Sequence, residues 1–127
     1  REPLAERIRD AIPLQNQWEN FVDWLLEKNE LFAKKYRYTL TARVIDQALD
    51  IQEKIIQARF AREKSERLER LHVDMEVMNA LFRRCYHKKL FSASAYEFAC
   101  KQMEEATKMI AAWKKYQKKE KEADETP

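Results

Sequence analysis

Three features of this 127-residue sequence predict an all-α fold, four helices running up-down-up-down around one core. Apolar residues recur at alternating three- and four-residue steps over four long stretches, the period of one helix face. Glycine is absent, where average usage of about 7% would supply roughly nine. Charged residues make up 37% of the chain and fill the positions between the apolar ones, which account for 45%. The length suits one domain with one core. The missing glycines count against phosphate-cradling loops, dinucleotide fingerprints and tight two-residue hairpins, which need positive φ or close backbone approach.

The first helix is expected from about Gln15 to Lys35, with Leu14, Trp18, Phe21, Leu25 and Phe32 on one stripe and Trp24 and Leu31 beside it. The second is expected from about Leu40 to Arg62 and carries two stripes. Leu40, Val44, Ala48, Ile51, Ile55 and Ala58 form one; Ile45, Leu49, Ile56 and Phe60 form the other. The third, from about Ser65 to Leu90, places Leu68, Leu71, Met75, Met78, Phe82 and Cys85 in an unbroken 3-4-3-4-3 spacing. The fourth, from about Ala93 to Lys119, repeats that spacing in Tyr96, Ala99, Met103, Ala106, Ile110 and Trp113. Such stripes pack near +20°, and short links between them give antiparallel neighbours. Thr39 or Thr41 can cap the second helix and Ser65 the third. For the fourth, Ser92 can cap directly, or Ser94 can pair with Glu97 in a capping box.

The ends read differently. Residues 1–13 form an N-terminal extension whose Leu4, Ile8 and Ile12 make a short amphipathic pattern closed by Pro13, an accessory helix or a docking arm. The bundle spans 14–119. The Lys- and Glu-rich run from Lys114 onward is expected to fray, with 120–127 a charged tail. No window reaches the ~20 apolar residues of a membrane span, and none reads as a secretory signal. Cys85 and Cys100 are too few for a disulfide scaffold and read as reduced core residues. The expected location is the cytoplasm, with no membrane partner.

Catalytic constellations are absent from this reading. Glu69 and His72 form one Glu-x-x-His pair, whereas a di-iron bundle needs two such pairs and two further inward carboxylates. The other histidine, His87, has Arg84 at the equivalent position, so no second pair exists. Cys85 and His87 are two residues apart and point to different faces of a helix. No nucleophile, base and orienting group come together. The chain is therefore expected to be no enzyme, with no cofactor and no metal.

Charge distribution says more. Residues 1–33 carry a net −3 and the remainder +6. In an up-down topology one pole collects Lys34, Lys35, Arg37, Arg43, Arg83, Arg84, Lys88 and Lys89, with Tyr36, Tyr38, Tyr86 and Phe91 among them. Cations neutralise phosphates, and exposed aromatic rings stack on unpaired bases. The competing reading is a solvated surface, since helix C-termini favour basic residues through the dipole. The opposite pole interleaves Arg59, Arg62, Lys64, Arg67, Arg70 and the lysines from Lys114 to Lys119 with Glu63, Glu66, Glu69 and Glu105, and reads as self-paired. The second stripe of the second helix (Ile45, Leu49, Ile56 and Phe60) exceeds what one bundle seam requires. It points to association with further copies, a wide core being the alternative.

The run Phe32-Ala33-Lys34-Lys35-Tyr36-Arg37-Tyr38-Thr39-Leu40 resembles the helix-one to helix-two junction of four-helix proteins related to the 23S rRNA intervening-sequence proteins, roughly Phe-Pro-Lys-x-x-Arg/Lys-Tyr/Phe-Thr-Leu. That family includes the accessory variability determinant (Avd) of diversity-generating retroelements. Tyr96-Glu97 after Ser92 is similar to the family's start of helix four, and Lys108-Met109-Ile110-Ala111-Ala112-Trp113 resembles its closing Arg-Met-Leu-Gly-Gly-Trp. Ala33 stands where the family has proline and Ala111-Ala112 where it has glycines; alanine still allows close packing. The resemblance covers about residues 15–116. It implies a barrel-shaped homopentamer and a non-catalytic accessory subunit. Such a subunit binds reverse transcriptase and template RNA, or an RNA/DNA hybrid, in support of mutagenic cDNA synthesis. The alternative within the family is a protein-only adaptor with no nucleic-acid role.

Overall fold

The computed structural model describes residues 4–125, and the side chains within that span except those of residues 4–11, 29–30 and 125. Four helices form: α1 (Leu4–Glu27), α2 (Leu40–Phe60), α3 (Ser65–His87) and α4 (Ala93–Glu125). Two 3-10 turns, Asn29–Phe32 and Lys34–Tyr36, join α1 to α2. Each helix packs on its sequence neighbour, and α1 packs on α4 to close the ring. This is the up-down-up-down four-helix arrangement.

The stripes become the core as their spacing dictates. Leu14, Trp18, Phe21 and Leu25 of α1 are buried, as are Val44, Ala48, Ile51, Ile55 and Ala58 of α2. So is every member of the α3 stripe, and the α4 stripe from Ala99 to Trp113. An aromatic cluster fills the centre: Phe21 meets Trp18 and Phe82 edge-on, with ring centroids at 5.3 and 5.8 Å, and Phe91 lies 5.6 Å from Phe82. The Trp18 indole N–H donates to the Ala48 carbonyl at 2.9 Å, which satisfies the one polar group such a ring brings inside. Gln47 does the same between α2 and α3, donating to the Asp74 carbonyl at 2.9 Å while it accepts from Arg43.

Helix boundaries depart from the expected ones for local reasons. Pro13 lies inside α1 rather than closing a separate segment. Proline's φ near −65° is compatible with a helix, although inside one it removes a hydrogen bond and crowds the carbonyl four residues back. The side chains of Leu4 and Ile8 lie outside the described residues; Ile12 is half-buried. α1 stops at Glu27, well short of Lys35. An unbroken helix would leave Leu31 beside the stripe, on the Trp24 flank. The 3-10 turn, with the Leu31 N–H bonded to the Lys28 carbonyl at 3.0 Å, turns Leu31 fully into the core.

Caps also differ. Thr39 makes no capping bond, and the Thr41 hydroxyl, one residue inside α2, donates to the Leu31 carbonyl instead. Ser65 does not cap α3; the Glu63 carboxylate accepts the Ser65 N–H at 3.1 Å, which lowers the Glu63 pKa. At α4 the direct option forms: the Ser92 hydroxyl accepts the Ala95 N–H at 3.1 Å. The run expected to fray from Lys114 is helical to Glu125. Cys100 is exposed rather than a core residue, because it falls one position off the stripe through Ala99; Cys85 is buried, and both thiols are free.

Candidate nucleic-acid interface

The α3–α4 connection is built by helix-end chemistry in a chain without glycine. The Lys88 N–H bonds the Arg84 carbonyl at 2.9 Å, and the Leu90 N–H reaches back to the Cys85 carbonyl at 2.8 Å. That pattern reverses the chain at a left-handed residue just past the helix, a place glycine ordinarily takes. Here Lys89 takes it, with φ of 64°. Leu90 and Phe91 then plunge into the core, leaving Lys88 and Lys89 exposed at the tip.

At the same end of the bundle, the α1–α2 connection is pinned from below by buried Leu31 and Thr41. Its outer surface carries Lys34, Lys35 and Arg37, with Arg43 in the first turn of α2. Arg84 occupies the last turn of α3, and Arg83 immediately precedes it. All eight basic residues singled out from the sequence are exposed and lie at this pole, in two groups: one on the α1–α2 connection, the other on the end of α3 and the turn after it.

Their partners carry no negative charge. Arg37 donates to the Phe32 carbonyl, Arg43 to Gln47 and Arg84 to the His87 ring, and the Lys35 ammonium sits 5.5 Å from the Tyr36 ring centre. Among the described residues, none of the eight forms an ion pair; the pairs fall elsewhere, at Lys54–Asp74, Arg70–Glu66, Lys101–Glu97, Lys108–Glu104 and Lys114–Glu69. Among the described residues, the positive charge at this pole therefore has no ion-pair partner. The opposite pole is knitted together. Lys64 is buried there and donates to three main-chain carbonyls, Ala58, Arg59 and Ala61, at 2.8–3.0 Å. Sequence reasoning had placed Lys64 on the surface; the only signal was a basic residue following a helix C-terminus.

The four aromatic residues near the basic pole divide evenly. Phe91 is buried and Tyr36 packs against the core. Tyr38 is 86% exposed, and Tyr86 is 40% exposed with one face stacked on Tyr96, centroids 4.6 Å apart and planes 12° from parallel. Burial raises the Tyr96 phenol above its ordinary pKa, with the neighbouring Cys100 thiol adding to the shift.

The second stripe of α2 lies on the flank that meets α1. Ile45 and Ile56 are half-buried, Leu49 is 43% exposed and Phe60 73% exposed. Leu26 of α1, also exposed, is three turns from Gln15, which bonds Arg59 of α2, so it sits on the matching flank. Sequence reading missed Leu26 because it stands alone off its own stripe.

Glu69 and His72 have no metal-site geometry. Both are exposed, and the Glu69 carboxylate bonds the Lys114 ammonium, which holds its pKa below the ordinary value. No three His, Cys, Asp or Glu side chains cluster among the described residues, and no described helix is long and apolar enough to cross a membrane.

A family model described as bAvd-like matches residues 12–117. No curated protein and no solved structure matches the chain.

Proposed function

The chain belongs to the bAvd-like family of accessory variability determinants, and from that premise we propose that it is a non-catalytic accessory subunit of a diversity-generating retroelement. In this reading it binds reverse transcriptase and template RNA, or an RNA/DNA hybrid, in the cytoplasm and supports mutagenic cDNA synthesis. Chemistry belongs to the polymerase; this subunit supplies charge, shape and valency.

The observation that carries the nucleic-acid half is the pole of eight exposed cations without an acidic partner among the described residues. Unpaired surface cations release counterions from phosphates when they bind, so affinity should fall steeply with salt, with a log–log slope of about −0.7 per contact on single strands. The Ile45, Leu49, Ile56 and Phe60 flank is assigned to self-association, toward the family's homopentamer. Five copies would present the pole five times and turn weak sites into strong binding through effective concentration.

Two charge reversals test this. Arg83, Arg84, Lys88 and Lys89 are changed together to Glu, and separately Lys114, Lys115, Lys118 and Lys119. The first should weaken RNA binding across sequences with helicity and mass unchanged; the second should not. If only the second loses binding, the pole is wrongly assigned. If neither does, the protein-only adaptor is the better reading. Co-expression with a candidate polymerase and its RNA, followed by pull-down, tests the remaining partner. Light scattering should give five times the 15.4 kDa chain mass, and a monomer at micromolar concentration refutes the barrel.

A further inference from the structure

We propose that the basic pole grips unpaired nucleic acid, free template RNA or the single-stranded part of a hybrid, by stacking bases on Tyr38 and Tyr86. This rests on the nucleic-acid reading above and adds the strand state and the residues that select it.

Cations alone are indifferent to strand state, because phosphates line single strands and duplexes alike. Flat apolar faces are not indifferent. A base inside a duplex already has neighbours above and below, whereas an unpaired base can lay its face on an aromatic ring. Tyr38 offers such a face. It is 86% exposed and has no hydrogen bond or ring contact among the described residues, so nothing within the fold accounts for an aromatic side chain there. Its backbone is held firmly: the Thr39 N–H bonds the Tyr36 carbonyl at 3.2 Å, and the Arg37 Nε–H bonds the Phe32 carbonyl at 3.3 Å. The turn therefore presents the ring from a fixed base.

Tyr86 offers a second face on the other side of the pole. Its inner face is taken by Tyr96, and its 40% exposure leaves ring surface open to solvent. A base laid there would extend an existing two-ring stack, already ordered before binding. Exposed Arg83 lies three residues before it on the same helix and exposed His87 follows it, and Arg84 is held to the His87 ring at 2.8 Å. Each tyrosine thus stands beside the cations that would hold the phosphates of the base it stacks.

The test uses the full chain and a labelled, unstructured oligoribonucleotide of alternating adenine and cytosine, alone or annealed to its complement, with binding read by fluorescence anisotropy. Tyr38→Ala and Tyr86→Leu should each weaken single-strand binding by at least about fivefold. Duplex binding and the salt slope should stay as in the parent, and Tyr38→Phe should bind as the parent does. Tyr38 is 86% exposed with no hydrogen bond or ring contact among the described residues, so its replacement should leave helicity and mass intact even if Tyr86→Leu disturbs α3. Equal loss on single strand and duplex overturns the proposal, as does no loss on either. So does retained RNA binding with loss of a co-purifying polymerase, which would make the rings a protein contact. The charge-reversed protein separates the two levels. If it loses RNA binding while the tyrosine variants keep it, stacking fails and the nucleic-acid reading stands; if it too keeps binding, that reading fails as well.

Discussion

Replacing Lys64 with methionine removes one ammonium and keeps the volume of the stem. The ammonium is buried at 6% relative exposure and holds three carbonyls where α2 ends, at 3.0 Å to Ala58, 2.9 Å to Arg59 and 2.8 Å to Ala61. Hydrogen bonds to charged groups contribute about 1.5–3 kcal/mol each when taken singly. The three are not additive: water can reach carbonyls at a helix end once the amine is gone, and the variant is spared the cost of burying a charge. The positive end of the clamp also meets the negative end of the α2 dipole, worth up to ~2 kcal/mol in a partly buried setting. Together these give an expected loss of about 2–3 kcal/mol. Urea unfolding followed by circular dichroism should show an unchanged slope and a midpoint lower by about 1–1.5 M, given a slope near 2 kcal/mol/M. RNA binding should not change, because the clamp is at the pole away from the eight cations. A midpoint shift corresponding to less than about 0.5 kcal/mol, the size of an ordinary surface substitution, would refute the claim that Lys64 is a structural clamp.

Lys89→Gly should stabilise the fold by about 0.5–1 kcal/mol, since φ of 64° suits glycine and costs a lysine; a calorimetric melt that moves down instead of up contradicts this. Trp18→Phe leaves the Ala48 carbonyl without its 2.9 Å indole donor and should cost about 1–2 kcal/mol in the same urea assay. Cys100 should react with a thiol reagent at mildly alkaline pH in the folded protein, and Cys85 only on unfolding; equal reactivity of the two is the opposing result. Burial pushes the Cys85 thiol up to about 12, so the native state retains this proton more tightly than the unfolded chain does. Its contribution is complete below the ordinary thiol pKa of about 8.5 and is lost as pH rises through the folded value, so stability should fall between those limits, less steeply in Cys85→Ala.

The core was legible because burial and helical period are the same information. From Leu68 to Cys85, one spacing names every buried side chain of that stripe in α3, and the equivalent run in α4 is buried from Ala99 onward. Cys100, read as a core residue, is exposed although the period already spoke against that reading: it adjoins Ala99, and a helix turns about 100° per residue, so it could not share that stripe. Leu31 shows where the period stops helping. It turns inward only because α1 breaks into a 3-10 turn, and the partner for its carbonyl, Thr41, comes from the next helix. Lys64 was illegible for the same reason, being buried by carbonyls rather than by a stripe. The basic pole followed from topology once four helices were placed. Periodicity says nothing, however, about which aromatic rings close the core there and which stand in solvent. Tyr36 and Tyr38 differ by two residues and take opposite fates.

The ring of helices in which each packs on its sequence neighbour also bears on the order of events during synthesis. Contacts between consecutive helices close over short stretches of chain, and folds built from such local contacts form in microseconds to milliseconds. Encounters between separate chains are slower and depend on concentration. On the proposed self-association, a subunit of this topology completes its own core before it meets a copy, with Leu49 and Phe60 already exposed on a formed helix. Assembly on that proposal is a docking of finished surfaces, and its rate should scale with protein concentration while the folding rate does not.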